Sequence, residues 1–183
     1  MTAEKDRLRD LISAILSKIG QTGKAKLARL VLFAEIEHFK MTGESITGLH
    51  FFRLQIGPVI AFFDEVLEEG MSYLWDKKVT PIPMRKHKRQ EYIPLTTFSL
   101  SGDMQRTVDN IVNSYGNKTA TELSILSHRL PAWLYSDPDD IIYTAQLAID
   151  TEEKYFAMLD MIEEDDTNDE LLEEEVSQIL HTC

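Results

Sequence analysis

Residues 24–43 read K-A-K-L-A-R-L-V-L-F-A-E-I-E-H-F-K-M-T-G, and this stretch decides the architecture. Leu27, Leu30, Val31 and Ala34 recur at the spacing of one helical face. Phe33 widens that face, so the pattern predicts a helix from about Lys24 to Lys40 packed on more than one side. Gly43 stands where a helix turns into the left-handed conformation and stops. Such a helix needs neighbours on each side, and the flanking sequence supplies them.

Upstream, Leu8, Leu11, Ile12, Ile15, Leu16 and Ile19 share one helical face over residues 6–19, and Gly20 and Gly23 break the helix. Downstream, M-T-G-E-S-I-T-G predicts a tight loop, and L-H-F-F-R-L-Q-I (49–56) a strand. Gly57-Pro58 reads as a helix start, with Val59, Phe62, Phe63, Val66 and Leu67 inside and Glu68-Glu69-Gly70 as its end. Pro81, Pro83 and Pro94 exclude helix from residues 77–95. K-V-T-P-I-P and Q-E-Y-I-P-L predict two short strands, confined by their prolines to a sheet edge, around the basic tip Arg85-Lys86-His87-Lys88-Arg89. The last third is helical: Val108, Ile111, Val112 and Tyr115 before Gly116, then a capping box Thr119…Glu122, then a helix opened by Asp137-Pro138, then one capped by Thr151. The fold class is mainly α with a small β-hairpin and short strands (α+β). One compact domain spans 1–162, followed by a helical or disordered acidic tail, 163–183.

Charge sharpens that boundary. The net charge is −12, and Glu163–Cys183 carries nine acids without a lysine or arginine. The other 162 residues hold 22 acids and 19 bases. That balance disfavours sequence-independent binding to nucleic acid, which needs many cations facing phosphates. No apolar run reaches the ~20 residues of a membrane span. The N-terminus lacks the apolar core of a signal peptide, and the single cysteine, Cys183, cannot form an internal disulfide, so a reducing cytoplasm is expected.

Chemical signatures are sparse. The five histidines (His38, His50, His87, His128, His181) are scattered, and no pair has the i, i+4 spacing of a helical metal site. Glu35 and His38 form one E-x-x-H, but a di-iron bundle needs that motif twice. No G-x-S-x-G and no phosphate-cradling glycine pattern is present. His128 could pair with Glu122 or Asp137 as acid and base, but a histidine at a helix C-terminus more simply serves a free carbonyl and the dipole. Trp75 and Trp133 fit either an interface or a core. The basic tip suits a solvated hairpin end or a contact with the chain's own acidic tail. Residue chemistry alone therefore ends at a mainly helical protein with no catalytic, cofactor or metal signature.

Three separated stretches resemble one family, over residues 24–160. K-L-A-R-L-V-L-F-A-E-I-E-H-F-K-M-T-G-E-S-I-T-G (26–48) is similar to its K-L-x-K-L-x-Y-F-A helix followed by H-x-x-x-x-G and I-T-G. This segment contains Lys26, Phe33, His38, Gly43, Thr47 and Gly48. Gly57-Pro58-Val59 is the second stretch. The third is Glu122-Leu123-Ser124, Ser127-His128 and Pro131-Ala132-Trp133, which resembles E-L-S-x-x-T-H-x-x-x-P-W. The family is the Panacea or SocA-like antitoxin domain. Leu32 replaces its tyrosine, Glu35 its aspartate and Ser127 its threonine, and Ala132 separates Pro131 from Trp133.

The resemblance implies a mostly helical antitoxin that neutralises a cognate toxin protein by stoichiometric binding, with related proteins in phages and mobile elements. Under it His128 caps and orients, Pro131 stops the helix and Trp133 packs the turn. The motif residues are then structural hallmarks beside a toxin-contacting surface. It implies no cofactor. Alternatives are an adaptor that presents the toxin to a cytoplasmic AAA+ protease, a small hydrolase using His128, and a nucleic-acid-binding repressor using Arg85–Arg89. Homodimerisation is open.

Overall fold

In the computed structural model, which describes residues 2–82 and 88–164, the helix read from 24–43 is the axis of the fold. It runs Lys24–Thr42 (α2) and ends at Gly43 in the left-handed conformation, whose N–H donates to the Phe39 carbonyl. Its buried residues run around the whole cylinder: Leu27, Leu30, Val31, Leu32, Phe33, Ala34, Ile36 and Phe39, together with Arg29, Glu35 and His38. An all-round buried helix is a core element, and α1 (Ala3–Ile19), α4 (Gly102–Tyr115), α5 (Ala120–Ser127) and α7 (Thr144–Ala148) surround it. Eight helices occur among the described residues; the remaining three are α3 (Phe63–Glu69), α6 (Pro131–Tyr135) and α8 (Glu152–Glu164). The mainly α, α+β expectation holds.

Two small sheets flank the helical core. One has the order β1–β5–β4, built from Thr22–Gly23, Lys88–Pro94 and Trp75–Pro81, with β4 and β5 antiparallel from Trp75↔Pro94 to Pro81↔Lys88. The proline argument places β4 at an edge correctly, but β5 is the middle strand. Pro94 is tolerated because β1 pairs only with Tyr92 and Glu91. Trp75 is fully buried and donates its indole N–H to the Leu67 carbonyl at 2.9 Å. Its ring lies so close to Gly70 that a Cβ there would stand 2.1 Å from it. Trp75 is thus a core residue and the reason for that glycine.

The second sheet has the order β3–β2–β6, from Gly57–Ile60, Phe51–Leu54 and Ile141–Ile142. It corrects two expectations. Gly57-Pro58 does not start a helix. Leu54 pairs with Gly57, so Gln55-Ile56 is a two-residue hairpin turn, and the helix waits until Phe63. Gly57 has φ +105°, which a helix start cannot use, and Pro58 lies in an edge strand where its missing N–H costs little. Asp137-Pro138 does not open a helix either. Asp139 has φ +69°, and its N–H donates to the Arg53 carbonyl while Arg53 N–H donates to Asp140. Pairing with β2 therefore overrides the local cap signal and makes residues 141–142 a strand.

The Thr119 capping box forms on both sides, with Thr119 Oγ accepting from Glu122 N–H and the Glu122 carboxylate accepting from Thr119 N–H. Pro131 sits at the first turn of α6 and begins a helix, correcting the expectation that it stops one. Residues 83–87, which include Arg85, Lys86 and His87 of the basic tip, and the tail beyond Glu164 lie outside the described residues.

Candidate functional site

Two buried charges on α2 organise the hallmark segments. Glu35 is fully buried. Its carboxylate accepts from Ser45 Oγ (2.9 Å), Ile46 N–H (2.9 Å) and Thr47 N–H (3.0 Å), which pins the 43–48 loop onto the helix. Burial pushes its pKa up, against those hydrogen bonds, which pull it down. Thr47 is fully buried, Gly48 is exposed with φ +75°, and the Arg7 guanidinium closes the loop from α1 by donating to the Thr47 carbonyl. One turn on, His38 Nδ1 lies 3.0 Å from Thr107 Oγ1. That hydroxyl already donates to Asp103, so the ring is the donor and α2 is tied to α4. Burial lowers the His38 pKa, opposed by the charges of Asp103 and Glu44. Phe33 stacks on Tyr115 with centroids 4.8 Å apart. Glu35 and His38 thus serve separate structural bonds, and no group of three potential metal ligands occurs among the described residues.

Arg29 is the second charge. It is 5% exposed, and its guanidinium donates to Pro58 O at 2.7 Å and to Ile56 O. No carboxylate partners it among the described residues, and burial pulls its pKa down to about 10. The Gly57-Pro58 hallmark is the other half of this contact. A Cβ at Gly57 would meet Arg29 Nη2 at 2.8 Å and Ser127 Oγ at 2.9 Å. Arg29 therefore holds the hairpin turn against α2 and α5.

The third hallmark closes the same corner. His128 ends α5, and its ring faces Trp133 with centroids 4.2 Å apart. Trp133 donates its indole N–H to Leu54 O at 3.0 Å, while Arg53 lies 4.4 Å over its ring and donates to its carbonyl. The His128 pKa is lowered, first by burial and then by the charge of Arg29, although a hydrogen bond to the Gln55 carbonyl acts against this. His128 is the C-cap residue of α5, through its backbone N–H to the Ser124 and Leu126 carbonyls, while its ring Nε2 is buried without a hydrogen-bond partner among the described residues. Glu122, the imagined acid–base partner, is committed to Thr119 Oγ1 (2.8 Å) and N–H (2.7 Å).

An open groove of about 1480 Å³ runs beside this corner. The start of α2, the β2–β3 hairpin, the start of α5 and the β5 strand form its walls. Of the motif residues expected at the site, Lys26 and His128 line it. Lys26 reaches across to Gly116 O at 2.5 Å. Phe33, His38, Thr47, Gly57, Pro58, Ser127 and Pro131 are buried, Gly43 and Trp133 are partly exposed, and Gly48 lies on the α1 side. The groove's apolar side comes from residues the sequence reading did not assign to it. Phe51, Ile60 and Ile142 point into the core, so their neighbours Phe52, Val59 and Ile141 face outward in register. Phe52 (37% exposed) and Ile56 (64%) line the groove with Phe62 (46%). Phe62 has φ +60°, a left-handed conformation rare for a bulky side chain, and Lys5 Nζ sits 4.4 Å over its ring.

A small α+β domain built around one buried helix, with its hallmark residues spent on joining that helix to two loops and a hairpin, is what the geometry defines. The chain belongs to the antitoxin SocA-like, Panacea domain family, whose model matches residues 27–134. No curated protein and no solved structure matches the chain. Family membership supports an antitoxin-family role and implies a toxin partner in general. Among the described residues, no helix is long and apolar enough to cross a membrane.

Proposed function

We propose that the chain neutralises its cognate toxin by stoichiometric binding through the groove, covering the toxin rather than transforming it. The observation that carries this reading is the apolar lip formed by Phe52 and Ile56 on the β2–β3 hairpin and by Phe62 just beyond it, all three exposed along one groove. Exposed apolar residues gathered in a concavity mark an interaction site more often than scattered ones do. A stable complex buries ~800 Å² per partner, more than this lip alone, so the toxin also covers the surrounding walls. The motif residues then act at one remove. Arg29, Gly57, His128 and Trp133 fix the hairpin, and the hairpin presents the lip.

The test is co-expression with the neighbouring reading frame whose product arrests growth. Phe52→Asp/Ile56→Asp should abolish both co-purification and growth rescue while the circular dichroism spectrum and melting temperature stay near those of the parent. Full rescue by that variant would move the toxin contact elsewhere. Toxin destruction that depends on a host protease and on this chain would instead favour the adaptor role.

A further inference from the structure

The walls of the groove include a length of open sheet edge. β5 pairs with β4 along its whole length, from Lys88 to Pro94, but with β1 only at Glu91 and Tyr92. The chain turns into α2 at Lys24, so no strand lies beside Lys88–Gln90 on that side among the described residues. Lys88, Arg89, Gln90 and Glu91 all line the groove, and the first three are exposed.

The register fixes which backbone groups face that space. In an antiparallel ladder, successive residues direct their N–H and C=O to opposite sides. Leu95 N–H donates to Leu74 O at 2.9 Å, one step beyond the Trp75↔Pro94 pair. Leu95, Ile93, Glu91 and Arg89 therefore bond toward β4, and Tyr92, Gln90 and Lys88 point the other way. Tyr92 meets Thr22 of β1. The N–H groups of Gln90 and Lys88 meet no strand. A Cβ on Gly23 would stand 3.7 Å from the Gln90 carbonyl, in keeping with that direction.

The neighbouring edges are closed by the chain itself. On the outer side of β4, Trp75 N–H goes to Gly70 O, Lys77 N–H goes to Asp76 Oδ1 at 2.7 Å, and Pro81 has no N–H, which leaves Val79. On β3, Pro58 has no N–H and its carbonyl accepts from Arg29. Unblocked edges are templates for another strand, and folded proteins usually blunt those they do not use. The β5 edge is unblunted, and it lies in a groove whose other wall carries Phe52 and Ile56.

We propose that the groove captures an extended segment of the toxin as an added strand on β5. The segment lies antiparallel to β5 in line with β1, bonds the backbone of Lys88 and Gln90, and carries apolar residues at alternate positions for the lip. This rests on the reading that the toxin binds in the groove, and it adds the conformation of what is bound. Main-chain bonds hold the segment whatever its side chains, while the lip selects among sequences.

Amide hydrogen exchange of the full chain, alone and saturated with the toxin from the neighbouring reading frame, tests this. Alone, Lys88 and Gln90 should exchange at least about tenfold faster than Arg89 and Glu91. With toxin they should slow by about tenfold or more, while Val79 on the β4 edge stays unchanged. Protection of Lys88 and Gln90 in the free chain would overturn the proposal, because the edge would already be paired by its own chain or a second copy. A toxin complex in which both still exchange fast would overturn it as well. Gln90→Pro deletes one groove-facing N–H and spares the ladder bonds of Arg89 and Glu91, so the toxin Kd should rise about tenfold. Gln90→Ala keeps that N–H and should bind like the parent. The Phe52→Asp/Ile56→Asp variant separates the two failures. If strand addition fails and that variant still loses toxin, the groove reading stands alone; if it binds normally, both fall.

Discussion

Gly57→Ala tests the corner on which the site is built. At φ +105° an alanine is strained by about 1–3 kcal/mol. Its Cβ would also stand 2.8 Å from Arg29 Nη2 and 3.0 Å from Cζ. The guanidinium cannot simply swing aside, because both terminal nitrogens are bonded to carbonyls of the same turn. Forfeiting one of these charged hydrogen bonds costs about 1.5–3 kcal/mol. The sum, roughly 3–6 kcal/mol, is a large share of the 5–15 kcal/mol that holds a domain folded. At about 2–4 °C per kcal/mol for a chain of this size, the melting temperature should fall by roughly 10–20 °C. Urea denaturation of the parent, both single variants and Gly57→Ala/Arg29→Ala completes a double-mutant cycle. With the guanidinium gone, the glycine substitution should retain its strain, about 1–3 kcal/mol, and the close approach of its Cβ to Ser127 Oγ (2.9 Å), but lose the Arg29 share. A Gly57→Ala cost below about 1 kcal/mol, or equal costs in both backgrounds, would refute the claim that this glycine exists to admit Arg29.

Glu35→Ala strands the N–H groups of Ile46 and Thr47 in the interior at about 1–3 kcal/mol each. A loss of roughly 3–5 kcal/mol is expected in urea melts, with the earliest hydrogen exchange in residues 43–48. The histidines set an acid response. Burial depresses the pKa of His38 and His128, so between the folded pKa and about 6.5 the unfolded chain binds more protons. The stability from these two groups is present above pH ~6.5 and is lost as pH falls through their folded pKa values. His38→Gln/His128→Gln should flatten the stability profile below pH ~6.5 relative to the parent, measured by denaturant midpoint at each pH. Phe62→Gly separates folding from binding. It relieves ~1–2 kcal/mol of left-handed strain, set against the exposed cation–π contact with Lys5 (~0.5–1 kcal/mol) and the entropy of glycine (~0.5–1 kcal/mol). Thermal stability should stay within about 1 kcal/mol of the parent while toxin capture weakens.

The central helix was legible because its period leaves no other reading, and the Thr119–Glu122 box because both halves of a local motif lie within one turn. Two other local signals misled. Gly57-Pro58 and Asp137-Pro138 each resemble a helix start, but β2 claims both segments as pairing partners, and strand pairing between distant residues leaves no mark in a short window. The buried charges were partly readable. Phe33 showed that the helix packs on more than one side, but which of its polar residues go inside was not readable: Arg29 and Glu35 are buried, while Lys24, Lys26, Glu37 and Lys40 of the same helix are not. The groove lip was not readable. Phe52, Ile56 and Phe62 look like further core residues in sequence; the register that turns Phe51 and Ile60 inward leaves Phe52 outside, Ile56 sits in the two-residue turn, and Phe62 follows β3 with a left-handed backbone.

The strand order β3–β2–β6 also sets a schedule for synthesis. Phe52 pairs with Ile141, roughly 90 residues later, and at 5–20 residues per second a ribosome needs about 4–18 s to cover that interval. Until then β2 lacks one neighbour, and the Arg53 backbone lacks the Asp139–Asp140 turn that it bonds in the finished fold. A nascent chain therefore cannot complete the hairpin's support from its first half alone. The groove wall carried by that hairpin is complete only once residue 142 has left the ribosome.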